Sequence, residues 1–292
     1  MDTAIQIVVS GLTLGAMYAV STIALSLVWG SLRMLNMAQG ALLTAGGYAA
    51  YTAVVTLALP VWIGLPLAIL VGAVIGALMY LLVVRYMLGR PGFETNVIIG
   101  TVGIALILEN LVLRLYGAYP LQQPIGLPDG FQVGATWVPW QNVLILVVSI
   151  LLMVVMSAFL ERTRAGRAIR ATAQHQRGAM LMGVPVGRVY IQVLMIGGAL
   201  AAISGIMLST ITTLAPTMGY DPMLKAFIIC VIAGLGNING ALFAAFALGL
   251  FEAAVQYFLG VRFGFPALLL LVIAALIWRP YGVFGRRKQA RL

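Results

Sequence analysis

Very few side chains in this sequence could carry out covalent or metal chemistry. The only histidine is His175 and the only cysteine is Cys230, which excludes a histidine-rich metal site, an HExxH motif and a disulfide framework. The lysines are Lys225 and Lys288, and there is no GxxxxGKS or GxxxxGKT phosphate-binding loop. We therefore predict no catalytic residue, no metal site and no cofactor bound by this chain.

Two carboxylates lie inside apolar stretches. Glu109 occurs in "IALILENLVLRLYG" and Glu252 in "FALGLFEAAVQYF". A charged group at the centre of a membrane-spanning helix costs about 2.5–3.5 kcal/mol on insertion scales, so such residues are functional candidates by default. A structural role stays open for both, because each could hydrogen-bond a neighbouring helix and Glu109 could pair with Arg114. We predict that Glu252 lies near a path through the membrane.

Four polar residues lie where apolar helices are interrupted: Asn36, Gln39, Asn237 and Asn239. Backbone groups that are freed at such interruptions need hydrogen-bond partners. These side chains could line or gate a path, or they could cap the local backbone. The sequence leaves both roles open.

Residues 161–184, "ERTRAGRAIRATAQHQRGAMLMGV", contain five arginines within sixteen residues. In a helix predicted over 166–182, the spacing i, i+3, i+7 and i+10 gives one basic face, formed by Arg167, Arg170, Gln174 and Arg177. Gly166 and Gly183 bracket this helix, and Pro185 prevents its continuation. A basic loop that only sets orientation or contacts anionic lipid would not need this spacing. We interpret the segment as a short amphipathic helix that docks on a soluble partner.

The composition places the rest of the chain in lipid. Of its 292 residues, 62% are hydrophobic and 8% are charged, whereas soluble domains carry about 25% charged residues. Residues 63–84 and 142–160 contain no charge, and about 20 such residues cross the hydrocarbon as a helix. The net charge of +10 arises from basic residues at the ends of apolar runs. That distribution is typical of topology signals and disfavours nucleic-acid binding.

We predict a single all-α transmembrane domain over residues 1–292, a helix bundle with eight or nine spans. Seven spans are placed near 5–29, 37–58, 63–84, 96–113, 142–160, 189–211 and 264–278. The stretch 224–258 is interrupted by "GLGNING" and would form one short and one full crossing, or a pair of half-helices. The start "MDTAIQIVVS" lacks a basic region, so we expect a retained span and not a cleaved signal peptide.

The positive-inside rule gives the orientation. The loop 161–188 and the tail 279–292 carry clusters of Arg and Lys and are predicted to be cytoplasmic, the tail through Arg286, Arg287, Lys288 and Arg291. The loop 116–141 has no Arg or Lys and is predicted to be periplasmic. An outside N-terminus and an inside C-terminus require an odd number of crossings, which favours nine.

The chain resembles the permease subunits of bacterial ABC importers for branched-chain amino acids, of the LivH type. The resemblance runs through "GLTLGAMYAVSTIALSLVWGSLRMLNMAQG", "VIIGTVGIALILEN", "ERTRAGRAIRATAQ", "LKAFIICVIAGLGNINGALFAAFALGLFE" and "WRPYGVFGRR". It implies a bacterial inner-membrane permease for such amino acids, delivered by a periplasmic binding protein. It also implies a second, related permease and separate cytoplasmic ATPase subunits, which would use the ATP.

The resemblance further implies that 161–188 contains a coupling helix that seats on the ATPase. On this basis we assign Gly166, Arg167, Arg170 and Gly183 to coupling, and Asn36, Gln39, Asn237, Asn239 and Glu252 to the neighbourhood of the path. Two alternatives stay open. One is a permease of the same family for urea or short amides, and the other is a stand-alone channel or secondary carrier.

Overall fold

The apolar runs form helices, because a backbone in lipid must satisfy its own N–H and C=O groups within the segment. The computed structural model describes residues 2–88, 90–127, 129–133, 136–234, 236–279 and 282–283. Its helices are α1 (Asp2–Leu32), α2 (Gln39–Tyr51), α3 (Val61–Met79), α4 (Arg85–Met87), α5 (Phe93–Tyr116), α6 (Trp140–Arg162), α7 (Arg164–Gln174), α8 (Gln176–Leu181), α9 (Val186–Ser209), α10 (Tyr220–Ala233), α11 (Ile238–Leu259) and α12 (Gly264–Trp278). π-helical turns at Thr52–Thr56 and Tyr80–Val84 extend α2 and α3.

Within the described ranges, seven helical stretches are long and apolar enough to cross a membrane. They are Thr3–Leu32, Val61–Met87, Phe93–Tyr116, Trp140–Arg162, Val186–Ser209, Gly240–Leu259 and Val261–Trp278. The shorter helices α2 and α10 complete the bundle, in agreement with the predicted eight or nine helices. The stretch 224–258 forms one short helix of 14 residues and one full-length helix of 22 residues, and not two half-helices.

Helices α1 and α9 form the centre of the bundle, and α12 lies at its edge. In the most apolar window of each helix, 67% of residues are buried for both α1 and α9, against 17% for α12. Small residues allow the central backbones to approach closely where lipid provides no hydrophobic drive for association. A Cβ on Gly76 would lie 2.1 Å from the Leu194 carbonyl oxygen, so α3 packs directly on α9.

The segment between α5 and α6 contains a small antiparallel hairpin that the all-α prediction did not include. Its strands are β1 (Gly130–Val133) and β2 (Thr136–Pro139), with Phe131 paired to Val138. Trp137 and Trp140 are exposed beside the start of α6, as expected for residues at headgroup level.

The predicted helix over 166–182 is wrong in two respects. It begins earlier, at Arg164, where the Thr163 hydroxyl caps the Gly166 N–H, and it is divided at His175 into α7 and α8. Gly166 is therefore not a stop signal but a packing residue inside the first turn. Gly183 follows α8 with φ +79°, and this left-handed backbone ends the helix as predicted. The basic tail from Phe284 onward lies outside the described residues.

Candidate functional site

The interior of the bundle contains one cluster of charged side chains within the described ranges, and the short helix α10 positions it. The break before α10 follows from its sequence, because Gly219 precedes the helix and Pro222 lies in its first turn, where proline is tolerated. Lys225 lies in the second turn and is buried. Lys225 thereby brings an ammonium group into the bundle.

Lys225 is held by three oxygen atoms from three sides. Its Nζ lies 2.8 Å from Glu252 Oε1, 2.9 Å from Asp221 Oδ2 and 3.0 Å from Tyr18 Oη. An ammonium group has three donors, so these contacts use all of them. Nζ also lies 5.3 Å from the centroid of the Tyr18 ring, within the range of a cation–π interaction. Tyr18 lies near the middle of α1 (Asp2–Leu32), so the cluster is well inside the span.

Glu252 carries the most deeply buried carboxylate of this cluster. Its relative exposure is 0%, and Gln256 Nε2 donates a second hydrogen bond, 2.9 Å long, to the same Oε1 that binds Lys225. Its other oxygen, Oε2, has no hydrogen-bond partner among the described residues. Gln256 in turn lines a cavity of about 170 Å³ with Gln6 and Ser10. The buried carboxylate therefore lies one side chain away from an open cavity.

Two further carboxylates lie at the beginning of α10. Asp221 is exposed over 62% of its side chain while it pairs with Lys225. The Tyr220 hydroxyl donates a 2.6 Å hydrogen bond to Glu109 Oε2. Glu109 is therefore bonded to α10, and the alternative pairing with Arg114 is not the contact that the structure shows. If Tyr18 is neutral, Asp221, Lys225 and Glu252 together carry one net negative charge.

The polar residues at the helix interruptions differ in their contacts. Asn36 Oδ1 accepts a hydrogen bond from the Ala38 N–H, and Asn237 Oδ1 accepts one from the Gly240 N–H, so both cap the local backbone. Gln39 is completely buried, and neither atom of its amide has a partner among the described residues. The side chain of Asn239 lies outside the described part of the chain. Roles of these residues in a path stay predictions.

The helix α7 is amphipathic, and its basic face is exposed, with Arg170 donating a 3.3 Å hydrogen bond to the Glu161 carbonyl oxygen. Arg164, Arg167, Arg170 and Gln174 are exposed, while Gly166, Ile169 and Thr172 are buried. α7 packs against α6, α1 and α9. Arg177, predicted on the same face, belongs to α8 instead. Arg164, Arg167 and Arg170 are spaced three residues apart and therefore form a row of guanidinium groups along one side of α7. The opposite side of α7 packs against the bundle.

Beside this row, α8 ends in an exposed apolar tip. Leu181 is 88% exposed, and Met180 and Met182 are exposed with it. His175 Nδ1 caps α8 by accepting the Gly178 N–H. Exposed large apolar side chains next to a charged rim are typical of protein contact sites. The sequence analysis did not identify this tip.

Sequence reasoning also missed most of the interior cluster. Lys225 is four residues after Asp221, at the edge of an apolar stretch, and both could have been found by the rule that ionisable residues inside spans are functional candidates. Tyr18 and Gln256 carry no comparable signal, because nothing in the sequence brings them near Lys225.

Comparison with known proteins identifies similar chains. The model of the family described as "Branched-chain amino acid transport system / permease component" matches residues 7–278. The permease protein BraD of a high-affinity branched-chain amino acid transport system in Pseudomonas aeruginosa is 30% identical, over 97% of this chain and 96% of the relative. The permease protein LivH of the corresponding system in Escherichia coli is 28% identical, over the same shares.

The fold is also similar to a solved structure. PsaBC from Streptococcus pneumoniae, in complex with a Fab, matches with a TM-score of 0.50 over 95% of this chain and 91% of that chain. The sequence identity is 12%, so this likeness concerns the fold alone.

Proposed function

Because this chain belongs to the family of permease components of branched-chain amino acid transport systems, we propose that it forms the membrane path of an ATP-driven importer for branched-chain amino acids. The match over residues 7–278 is the observation that carries this proposal. The chain is a multi-pass membrane protein and a transport subunit. It would leave ATP hydrolysis to separate subunits and bind no cofactor itself.

The proposed orientation puts the N-terminus outside and α7 and α8 in the cytoplasm. The arginine row of α7 and the basic loop 161–188 support it through the positive-inside rule. The cytoplasmic tail 279–292 would lie on the same side. The loop 116–141, with its hairpin, would face the periplasm and the binding protein that delivers the substrate.

The exposed surfaces of α7 and α8 support the proposal of an ATPase partner. An ATPase subunit would receive the apolar tip at Leu181 and Met182 in a groove and would face the arginine row with acidic groups. A second, related permease would complete the path, as a heterodimer. Movement of the ATPase would then pass through Gly166, where α7 contacts α6, and through Gly183, which joins α8 to α9 by way of Pro185.

Reconstitution tests the proposed function directly. The chain is coexpressed with an ATPase, a second permease and a binding protein from the same system, and ATP-dependent uptake of radiolabelled leucine into vesicles is measured. We expect uptake only when all components and ATP are present. Uptake by this chain without the ATPase would instead identify a channel or secondary carrier. Uptake of urea and not of leucine would identify the amide permease.

A further inference from the structure

We propose that the beginning of α10 is a binding subsite for the charged head group of an α-amino acid, with Asp221 as the group that receives the ammonium. The proposal rests on the proposed function and adds to it a substrate-recognising residue inside the permease. Four observations carry it: the charges at α10, two buried groups without partners, the exposed side of α10, and its depth in the bundle.

The charges at this locus favour a cation. Lys225 has its three donors occupied by Asp221, Glu252 and Tyr18, so it offers no free donor to an incoming anion. Asp221 binds Lys225 through Oδ2, and its other carboxylate oxygen, Oδ1, does not bind Lys225. This oxygen belongs to an exposed side chain. The ion pairs leave one net negative charge, and a primary ammonium group would neutralise it.

Two completely buried side chains on helices that pack against α10 carry polar atoms without partners among the described residues. Glu252 is completely buried, and its Oε2 is unpaired among the described residues although its Oε1 binds Lys225. The amide of Gln39 is also completely buried and unpaired there. Gln39 precedes Gly40, whose Cβ position would lie 2.8 Å from the Gly219 carbonyl oxygen, directly before α10. Buried polar atoms without partners are costly, so the region around α10 has unused hydrogen-bonding capacity.

The exposed side of α10 is one narrow stripe. Asp221, Leu224 and Phe227 are exposed, and their immediate neighbours Pro222, Met223, Lys225, Ala226 and Ile228 are buried. The stripe therefore combines one carboxylate with two large apolar side chains at a spacing of three residues. A branched aliphatic amino acid is complementary to this stripe, because its ammonium group lies beside an apolar side chain.

The position of Asp221 disfavours lipid as the surroundings of the stripe. Asp221 binds Lys225, and Lys225 binds Tyr18 near the middle of α1. A carboxylate that faces hydrocarbon at such depth is strongly unfavourable. Water in a path can solvate the free oxygen of Asp221, and the substrate ammonium can replace that water.

Cysteine labelling tests whether the stripe faces water. The only native cysteine, Cys230, is buried, so this chain has a low background. Leu224→Cys in the assembled transporter is treated with a water-soluble, positively charged methanethiosulfonate, with and without leucine. We expect labelling of Cys at this position and protection by leucine. Leu270→Cys on α12, where Leu270 is 69% exposed, is the lipid-facing control and should not react.

Transport kinetics test the role of the carboxylate. Asp221→Asn removes the charge but leaves Lys225 paired with Glu252, so the chain should fold. We expect a fall of about tenfold or more in the maximal rate of leucine uptake at saturating binding protein, because a charge-assisted hydrogen bond is lost. Asp221→Glu should restore part of the rate. Glu94→Gln, in the first turn of α5, is the matched control.

Three outcomes would overturn the head-group subsite. One is wild-type uptake by Asp221→Asn, and another is labelling of Leu224→Cys no faster than that of Leu270→Cys. The third is loss of the second permease from the complex on Asp221→Asn, which would make the stripe a subunit interface. If the wild-type transporter carries no branched-chain amino acid at all, the proposed function fails. That result is measured on the wild type and is therefore distinguishable from the three outcomes above, which are measured on the variants.

Discussion

The two charged regions of this protein, the arginine row of α7 and the ion cluster at α10, differ in how their charges are stabilised. The arginines of α7 are exposed and stand in a row without carboxylate partners among the described residues. The ions at α10 are fewer, and Lys225 is bonded to one oxygen each of Asp221, Glu252 and Tyr18. On α7, water solvates each arginine, and the spacing of the arginines along the helix places them on one face. In the interior, each charge requires a partner, so the ion pairs of Lys225 fix the positions of the helices that carry them.

This difference predicts that substitutions in the interior act on folding, whereas substitutions on α7 act on assembly. The largest effect is expected for Lys225→Met. It leaves the completely buried Glu252 carboxylate without its counterion, and breaking a buried ion pair costs about 3–5 kcal/mol. We expect a large loss of folded protein and a clearly lower melting temperature in detergent. Size-exclusion profiles after heating measure both.

The double variant Lys225→Met, Glu252→Gln is the control for that experiment. Because both charges are gone, most of the lost stability should return. Recovery would show that the unpaired Glu252 carboxylate, and not the missing lysine side chain, causes the loss of stability. A single Lys225→Met variant as stable as the wild type would show that water reaches Glu252. The Glu252 carboxylate would then not require Lys225 as a partner.

The second largest effect is expected where α7 is anchored. A Cβ on Gly166 would lie 2.2 Å from the Phe159 carbonyl oxygen and 2.5 Å from Leu160 Cα, so Gly166→Leu must push α7 away from α6. We expect normal insertion but loss of most ATPase copurification, because the arginine row is displaced. Gly103→Leu on α5, where nothing lies within 4 Å of the new Cβ position, is the matched control. Copurification equal to that of the control would contradict the role of the anchor.

The two regions also differ in how much of them the sequence predicts. The basic face of α7 depends on a spacing of three and four residues, which is local, so the sequence correctly predicts that Arg167 and Arg170 share one exposed face. The α10 cluster joins Tyr18, Lys225 and Glu252 from three helices. Only tertiary packing brings them together, and no periodicity contains that information.

The same distinction applies to the fold. Long apolar runs predict the spans well, because hydrophobicity and length are local quantities, and α12 begins and ends at the predicted residues 264 and 278. Gly166 was misread for the opposite reason. Glycine stops helices at some positions and permits close packing at others, and only the approach of α6 decides between the two.

A smaller effect is expected from charge reversal on the exposed face. Arg167→Glu with Arg170→Glu changes no buried contact, so the melting temperature should stay within about 2 °C of the wild type, as for most surface substitutions. The affinity for the ATPase should fall by about tenfold or more, and the loss should be largest at low salt. Pull-down at several salt concentrations measures it. Arg90→Glu, also exposed, is the control outside α7, and an equal loss there would show a general charge effect.

The smallest effect is expected at Gly183. Its φ of +79° favours glycine, but no atom lies within 4 Å of a Cβ at this position, so only the backbone conformation opposes a side chain. Gly183→Ala should therefore cost about 1 kcal/mol and reduce uptake a few-fold, by loosening the link between α8 and α9. Gly183→Asn should cost less, because asparagine tolerates the left-handed region. Uptake per copurified ATPase separates this loosening from simple loss of docking. Equal uptake by both variants and the wild type would mean that the link carries no force, and coupling would then depend on the α7 anchor alone.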